Sequence, residues 1–101
     1  MKKILLIEDE GILRSEVADW LMLEDFDAIT AADGIEGVEL ARRHLPDLII
    51  CDITMPRLDG YGVFLETRAD SATSDIPFIF VTARAAYDDI RKGMDLGADD
   101  Y

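Results

Sequence analysis

Short, unbroken apolar runs along this chain alternate with longer stretches in which apolar residues return every three or four positions. Lys3-Ile4-Leu5-Leu6-Ile7 and Leu48-Ile49-Ile50-Cys51 are too continuous for strands with one wet face. They fit strands covered on both sides, as in a parallel sheet. Phe26 to Ala31 reads as a brief strand, and Pro77-Phe78-Ile79-Phe80-Val81 as a fourth, with proline tolerated at its first position. From about Leu13 to Leu23, the residues Leu13, Val17, Trp20 and Leu21 fall at helical spacing, with Glu10 and Glu16 early, where the helix dipole favours acids. Asp33 and Glu36 form a capping-box pattern for a second helix. In it Val38, Ala41 and Leu45 make an inward stripe, and Glu39 can pair with Arg43. Pro46 stops that helix and Asp47 opens the next strand. Asp59 and Gly60 start a third helix that buries Phe64, Val63 and Leu65 and runs out in the polar stretch Asp70 to Asp75. Tyr87, Ile90 and Met94 mark a fourth helix, with Gly97 as its C-cap.

Strand and helix alternate four times, at spacings that require parallel pairing through right-handed crossovers. The expected architecture is an open α/β sheet with helices on both faces.

Composition narrows the function. A chain of 101 residues is one small domain, and with half its residues hydrophobic it is no disordered tail. Twenty-two acidic against ten basic side chains give a formal net charge of −12. That argues against a phosphate-backbone binder, so no direct nucleic-acid contact by this domain is expected, and against an anionic membrane surface. No apolar stretch approaches the ~20 residues of a spanning helix, and no signal-peptide pattern opens the chain. Cys51 is the only cysteine, which rules out an internal disulfide and points to a reducing compartment. The expected location is the cytoplasm.

Candidate chemistry collects where open α/β sheets place it, just past the carboxyl ends of the strands. Glu8-Asp9-Glu10 follows the first strand, Asp52 the third, and Thr82 the fourth. Thr54, Pro56, Asp59 and Gly60 then turn the chain after Asp52. Taken singly, each has a structural reading: Asp52 as an N-cap, Glu8 to Glu10 as a solvated helix start, Thr82 as a turn hydroxyl. Cys51 reads as buried packing, Trp20 as part of the core face, and His44 as a charge complementing a helix end. Together they read differently. If the first and third strands are neighbours, three carboxylates stand close, and two unit charges ~5 Å apart at an effective dielectric of ~20 repel by about 3 kcal/mol. Such a cluster needs a raised pKa or a bound cation. Hard oxygen ligands suit magnesium, and a carboxylate beside it can attack a phosphoryl group to give an acyl phosphate.

The motifs Ile7-Glu8-Asp9-Glu10, Asp52-Ile53-Thr54-Met55-Pro56 followed by Asp59-Gly60, Val81-Thr82-Ala83, and Gly97-Ala98-Asp99-Asp100-Tyr101 resemble those of the receiver domain of a two-component response regulator. The resemblance runs along the whole chain. It implies a flavodoxin-like, doubly wound parallel sheet of strand order 2-1-3-4-5. It also implies that Asp52 accepts phosphoryl from the phosphohistidine of a histidine kinase or phosphotransfer protein and controls an output domain or partner. Asp9 and Asp52 would then ligate magnesium directly, Glu8 through a metal-bound water, and Thr54 through its carbonyl. Thr82 would be the switch hydroxyl, with Thr54 and Arg84 tuning the lifetime of the acyl phosphate.

One departure stands out. The family carries a Lys at the end of a fifth strand, an aromatic residue in that strand and a fifth helix, whereas this sequence closes at Tyr101. The expectation is therefore a receiver domain over residues 1–101 that is incomplete at its C-terminus, the alternative being a domain that works without that Lys. An incomplete sheet would leave Phe78 to Val81 as an edge and promote self-association. Two other functional classes stay open at this point. One is a haloacid-dehalogenase-type phosphohydrolase, although Thr54 stands where that family wants a second acid. The other is a receiver-shaped interaction module that is never phosphorylated.

Overall fold

The computed structural model describes residues 1–55 and 57–81. The fourth helix expected around Tyr87 to Met94, its Gly97 cap, and the residues Thr82 and Arg84 lie outside the described residues.

The elements follow in the order β1 (Lys3–Ile7), α1 (Gly11–Leu23), β2 (Asp27–Ala31), α2 (Gly34–His44), β3 (Leu48–Asp52), α3 (Gly60–Ala69) and β4 (Phe78–Val81). The sheet runs β2-β1-β3-β4 with every pairing parallel, the flavodoxin-like, doubly wound order. Alternation along the strands divides the core between the two faces. Leu5, Ile7, Ile49, Cys51 and Phe78 meet Val38 and Ala41 of α2 and Val63 of α3. Ile4, Leu6, Ile50, Ile79 and Val81 meet Val17 and Leu21 of α1. Strands covered on both sides explain why β1 and β3 read as unbroken apolar runs.

Local chemistry sets the helix boundaries. The Glu10 carboxylate caps α1, accepting from the N–H groups of Ile12 and Leu13 at 3.0 and 2.9 Å. Glu10 is thus the cap itself rather than a residue of the first turn. Asp33 caps α2 through Glu36 N (2.8 Å), and Glu36 reaches back to the N–H of Ala32 (2.7 Å), one residue before the cap. The capping box therefore closes with a shifted partner. Arg43 pairs with Glu39 at 2.7 Å on the exposed side of α2.

Two of the expected inward residues point elsewhere. Leu45 is 52% exposed, because α2 ends at His44 and Leu45 takes the left-handed cap conformation (φ 47). Pro46 makes the right-handed helical conformation unfavourable for the residue before it, so the stripe stops at Ala41. Leu65 is 66% exposed. Val63 and Thr67, one turn apart, define the buried face of α3, and Leu65 lies half a turn from both. Phe64 is half-buried, packed edge-on against Phe78 at 5.3 Å.

The polar stretch after α3 is less loose than its composition implies. Thr73 is buried and donates to the Thr67 carbonyl at 2.7 Å. The Arg68 guanidinium donates to the carbonyls of Ser74 and Ile76, fixing the entry into β4. Among the described residues β4 has β3 as its one neighbour, and self-association along β4 depends on residues outside that set. No helix of the described residues is long and apolar enough to cross a membrane.

Candidate metal centre

Strand register builds the site. Ile7 of β1 pairs with Cys51 of β3, so the residues one step further, Glu8 and Asp52, come side by side at the carboxyl edge. Asp9 follows in the loop to α1. One carboxylate oxygen from each of Glu8, Asp9 and Asp52 lies within 4.8 Å of the others. Glu8 is almost fully buried at 3% exposure, Asp52 half-buried and Asp9 exposed, so the cluster opens to solvent from one side.

Each carboxylate is carried on fixed backbone. The Glu8 N–H continues the ladder to Ala31 O at 3.1 Å, and the Glu8 carbonyl accepts from Arg14 Nη1 at 2.8 Å. Its carboxylate accepts the N–H of Glu10 at 3.1 Å. Asp52 closes β3 opposite Val81, and the next residue, Ile53, donates to Val81 O at 2.8 Å. The Thr54 N–H donates to Asp52 Oδ1 at 3.3 Å, which turns the chain away from the strand. Behind the site, Gly60 opens α3 so close to β3 that a Cβ there would stand 2.5 Å from the Asp52 carbonyl oxygen and 2.8 Å from Ile53 Cα. Only a glycine lets the helix start at that distance. Its N–H donates to Ile53 O at 2.8 Å, tying both ends of the β3–α3 connection together.

Burial raises the pKa of Asp52 above the ordinary carboxylate value; the Thr54 N–H pulls against it and the charge of Asp9 adds to the rise. Hydrogen bonds from the Glu8 carboxyl and the Ile53 N–H lower it again, without reversing the net direction. Cys51, directly before Asp52, is pushed up strongly, first by burial and then by the charges of Asp52, Glu8 and Asp59. Its thiol stays protonated, packs in the core and donates to the Asp52 carbonyl at 3.4 Å.

Three of the residues singled out in the sequence, Glu8, Asp9 and Asp52, are therefore brought together. Thr54 touches the cluster through its amide, and Thr82 lies outside the described residues. Other contributors escape a reading by residue type: Arg14, which holds the Glu8 carbonyl, and Gly60, which sets the helix against Asp52. The signal for Gly60 was its place in the Asp59-Gly60 turn, whereas nothing in the sequence distinguishes Arg14 from a surface arginine.

The family model described as the response regulator receiver domain matches residues 4–101. The chain belongs to the response regulator receiver family. Sequence relatives of this receiver domain include a probable transcriptional regulator, ycf27, of Porphyridium aerugineum, 43% identical over 100 residues, which cover 99% of this chain and 40% of that protein. Another is the DNA-binding dual master transcriptional regulator RpaA of Synechocystis sp., 40% identical over 101 residues, which cover all of this chain and 42% of the relative. The chain thus spans about two fifths of the length of these curated relatives. Among solved structures, the receiver domain of sensor histidine kinase PA1611 from Pseudomonas aeruginosa superposes with a TM-score of 0.80 at 33% identity, covering 99% of this chain and 82% of that one. That structure holds a magnesium ion coordinated in its active-site cleft. The Vibrio cholerae chemotaxis protein CheY4 gives a TM-score of 0.78 at 27% identity, covering 99% of this chain and 83% of that one.

Proposed function

We propose that this receiver domain takes a phosphoryl group onto Asp52 in a magnesium-dependent reaction, from the phosphohistidine of a histidine kinase or phosphotransfer protein. The observation that carries the reading is the meeting of Glu8, Asp9 and Asp52 within 4.8 Å at adjacent strand ends. Hard carboxylate oxygens in an open cleft fit magnesium, which binds through one or two protein carboxylates and keeps several waters. Asp9 and Asp52 would hold it directly, the Thr54 carbonyl would add a ligand, and the buried Glu8 would act through a bound water. When bound, the ion neutralises charge on the cluster and on the incoming phosphoryl oxygens.

An Asp52 oxygen attacks phosphorus in line with the phosphohistidine nitrogen. The new bond is a carboxyl O–P bond, the N–P bond breaks, and the imidazole leaves with the electron pair and takes a proton. The deprotonated form of Asp52 is the nucleophile, and its raised pKa makes it more basic than an ordinary carboxylate. Thr82 is the switch hydroxyl in this reading, following the phosphoryl oxygen and carrying the phosphorylated state to an output segment or partner. The domain then processes only its own phosphoryl group, works in the cytoplasm and turns over no separate substrate. Because the relatives bear the names of transcriptional regulators, the output proposed for the parent protein is control of transcription. The phosphohydrolase alternative is set aside, because Thr54 stands where its second acid belongs and the receiver model spans the chain.

Incubation with acetyl phosphate and magnesium, followed by intact-mass measurement, tests the proposal. The expected product carries one phosphoryl group, loses it to hydroxylamine as an acyl phosphate does, and is absent from Asp52→Asn. A phosphate on Thr54, Tyr61 or Thr82, or no adduct at all, would refute it.

A further inference from the structure

The β3–α3 connection that bears Thr54 is braced from a side the phosphotransfer chemistry does not use. Arg57, at its tip, has φ 71, a left-handed conformation uncommon for a residue with a side chain. Its guanidinium reaches Asp33 Oδ2 at 3.3 Å, across to the N-terminus of α2. Asp33 divides its carboxylate between two tasks: Oδ1 caps α2 through Glu36 N at 2.8 Å, and Oδ2 takes Arg57. Beside that pair the backbones nearly touch, since a Cβ on Gly34 would lie 2.2 Å from the Leu58 carbonyl oxygen. On the other flank a Cβ on Gly62 would lie 2.4 Å from Leu58 Cδ1. The tip is therefore seated between the first turns of α2 and α3.

From this we propose that Arg57 and Asp33 are positioning residues for the chemistry at Asp52. Their ion pair holds the tip of the connection on α2 and so keeps Thr54 in place against Asp52 Oδ1. The inference rests on the reading of Asp52 and Thr54 given above. Geometry carries it from two directions. The connection is fixed at its base by Gly60 N on Ile53 O (2.8 Å) and by Ile53 N on Val81 O (2.8 Å). Between base and tip Met55 packs into the core, whereas Thr54 is exposed and, among the described residues, its backbone tie to the site is the 3.3 Å contact with Asp52. With Met55 and Leu58 still packed, loss of the pair loosens the connection rather than freeing it, and the exposed Thr54 is the site residue that such loosening displaces. The Arg57 and Asp33 side chains are 61% and 24% exposed, so the pair adds little to global stability, and its effect is local.

Asp33→Asn tests this cleanly, because asparagine caps a helix about as well as aspartate while losing the charge that faces Arg57. Arg57→Ala removes the guanidinium, and Arg57→Gly removes it while also relieving the left-handed backbone. Magnesium affinity is measured by titration in each variant, and amide exchange of Thr54 and Gly60 is followed by NMR in metal-free protein. All three variants are expected to bind magnesium about two- to fivefold more weakly, the range open to one exposed pair. Exchange at Thr54 and Gly60 should quicken by a similar factor, with the core amides of Leu5 and Leu6 unchanged. An Asp33→Asn, Arg57→Ala double variant should be no weaker than either single one.

Wild-type affinity and exchange in the folded Asp33→Asn and Arg57→Ala proteins would overturn the proposal. So would wild-type behaviour of Arg57→Gly, which would assign the effect to backbone strain, or a uniform rise in exchange that includes Leu5 and Leu6. If the wild type itself neither binds magnesium nor takes a phosphoryl group, the reading of Asp52 fails instead. The exchange measurement on metal-free protein still decides whether the pair holds the connection.

Discussion

Replacing Asp52 by asparagine should make the metal-free domain more stable while removing its response to magnesium. Asparagine has nearly the same shape and can still accept the Thr54 N–H through its side-chain oxygen. What disappears is one of three carboxylates whose oxygens lie within 4.8 Å of each other. At that distance a fully charged pair repels by about 3.5 kcal/mol at an effective dielectric of ~20, and by about 0.9 kcal/mol at ~80. Asp9 is exposed and belongs near the weaker limit, whereas Glu8, 3% exposed, belongs nearer the stronger one. Solvent on the open side of the cluster screens both figures. A net gain of about 1–2 kcal/mol follows, enough to move a urea midpoint by about 1–2 M for a slope at the low end of the usual range.

The assay is urea unfolding near neutral pH, in chelator and in magnesium, for both proteins. A ligand at ten times its dissociation constant stabilises the folded state by about 1.4 kcal/mol. Wild type should therefore rise with magnesium toward the variant, which should barely respond. Lower stability of Asp52→Asn in chelator would show that repulsion is not what limits this edge of the sheet. An equal response to magnesium in both proteins would show that Asp52 is not a ligand.

Other perturbations separate the packing from the chemistry. Gly60→Ala forces a Cβ to within 2.5 Å of the Asp52 carbonyl oxygen, and the atoms it meets are all Asp52 and Ile53 backbone, which cannot swing aside as a side chain could. Overpacking of about 1–3 kcal/mol should outweigh the gain of up to about 1 kcal/mol in helix propensity, lowering both the urea midpoint and the magnesium affinity. A more stable alanine variant would contradict the close approach. Val63→Ala empties a fully buried position of the α2/α3 face and should cost about 2 kcal/mol, a fall of roughly 8–16 °C in melting temperature, with magnesium affinity kept. Acidity should oppose the metal. Because the folded protein raises the Asp52 pKa above 3.8, it binds a proton that the unfolded chain has already released. This group's contribution to stability therefore falls as pH rises from the unfolded value through the folded one. Magnesium needs the carboxylate, so its affinity should drop as pH falls through that same window, with proton uptake by calorimetry on metal release. A magnesium affinity independent of pH down to about 4 would count against Asp52 as ligand.

The fold was legible because both faces of the sheet are covered. Ile4 to Ile7 and Ile49 to Cys51 are each at most 1% exposed, and strands in that environment leave an unbroken apolar signature. Val17 and Leu21 on α1 lie one turn apart and were legible by period. The misreadings fall where period alone is ambiguous. Leu45 continues the stripe of α2 on paper, yet Pro46 ends the helix before it. On α3, Val63, Phe64 and Leu65 are consecutive apolar residues, and composition cannot choose which one faces the core. Thr67 and Thr73 make that choice visible only in three dimensions: both are buried, and the hydroxyl of the second donates to the carbonyl of the first. The candidate site was legible as residue types at strand ends, conditional on β1 and β3 being neighbours. That adjacency comes from long-range pairing, and the Ile7 to Cys51 register that aligns Glu8 with Asp52 carries no local signature.

Glu8 shows why such a site sits at the end of a buried strand. A carboxylate at 3% exposure is disfavoured in its charged form, and an isolated one on a loop would rotate into water. Glu8 is the next residue after Ile4 to Ile7, its N–H is on Ala31 and its carbonyl on Arg14, so its backbone cannot turn without pulling β1 from the sheet. The packing of four core residues thus holds a carboxylate where solvation alone would not leave it. The same reasoning applies to Asp52, fixed between the β4 pairing on one side and Gly60 of α3 on the other. A cluster held this way cannot relieve its repulsion by moving apart. It can do so only by taking up a proton or a cation, and the proposed magnesium site is the second of these.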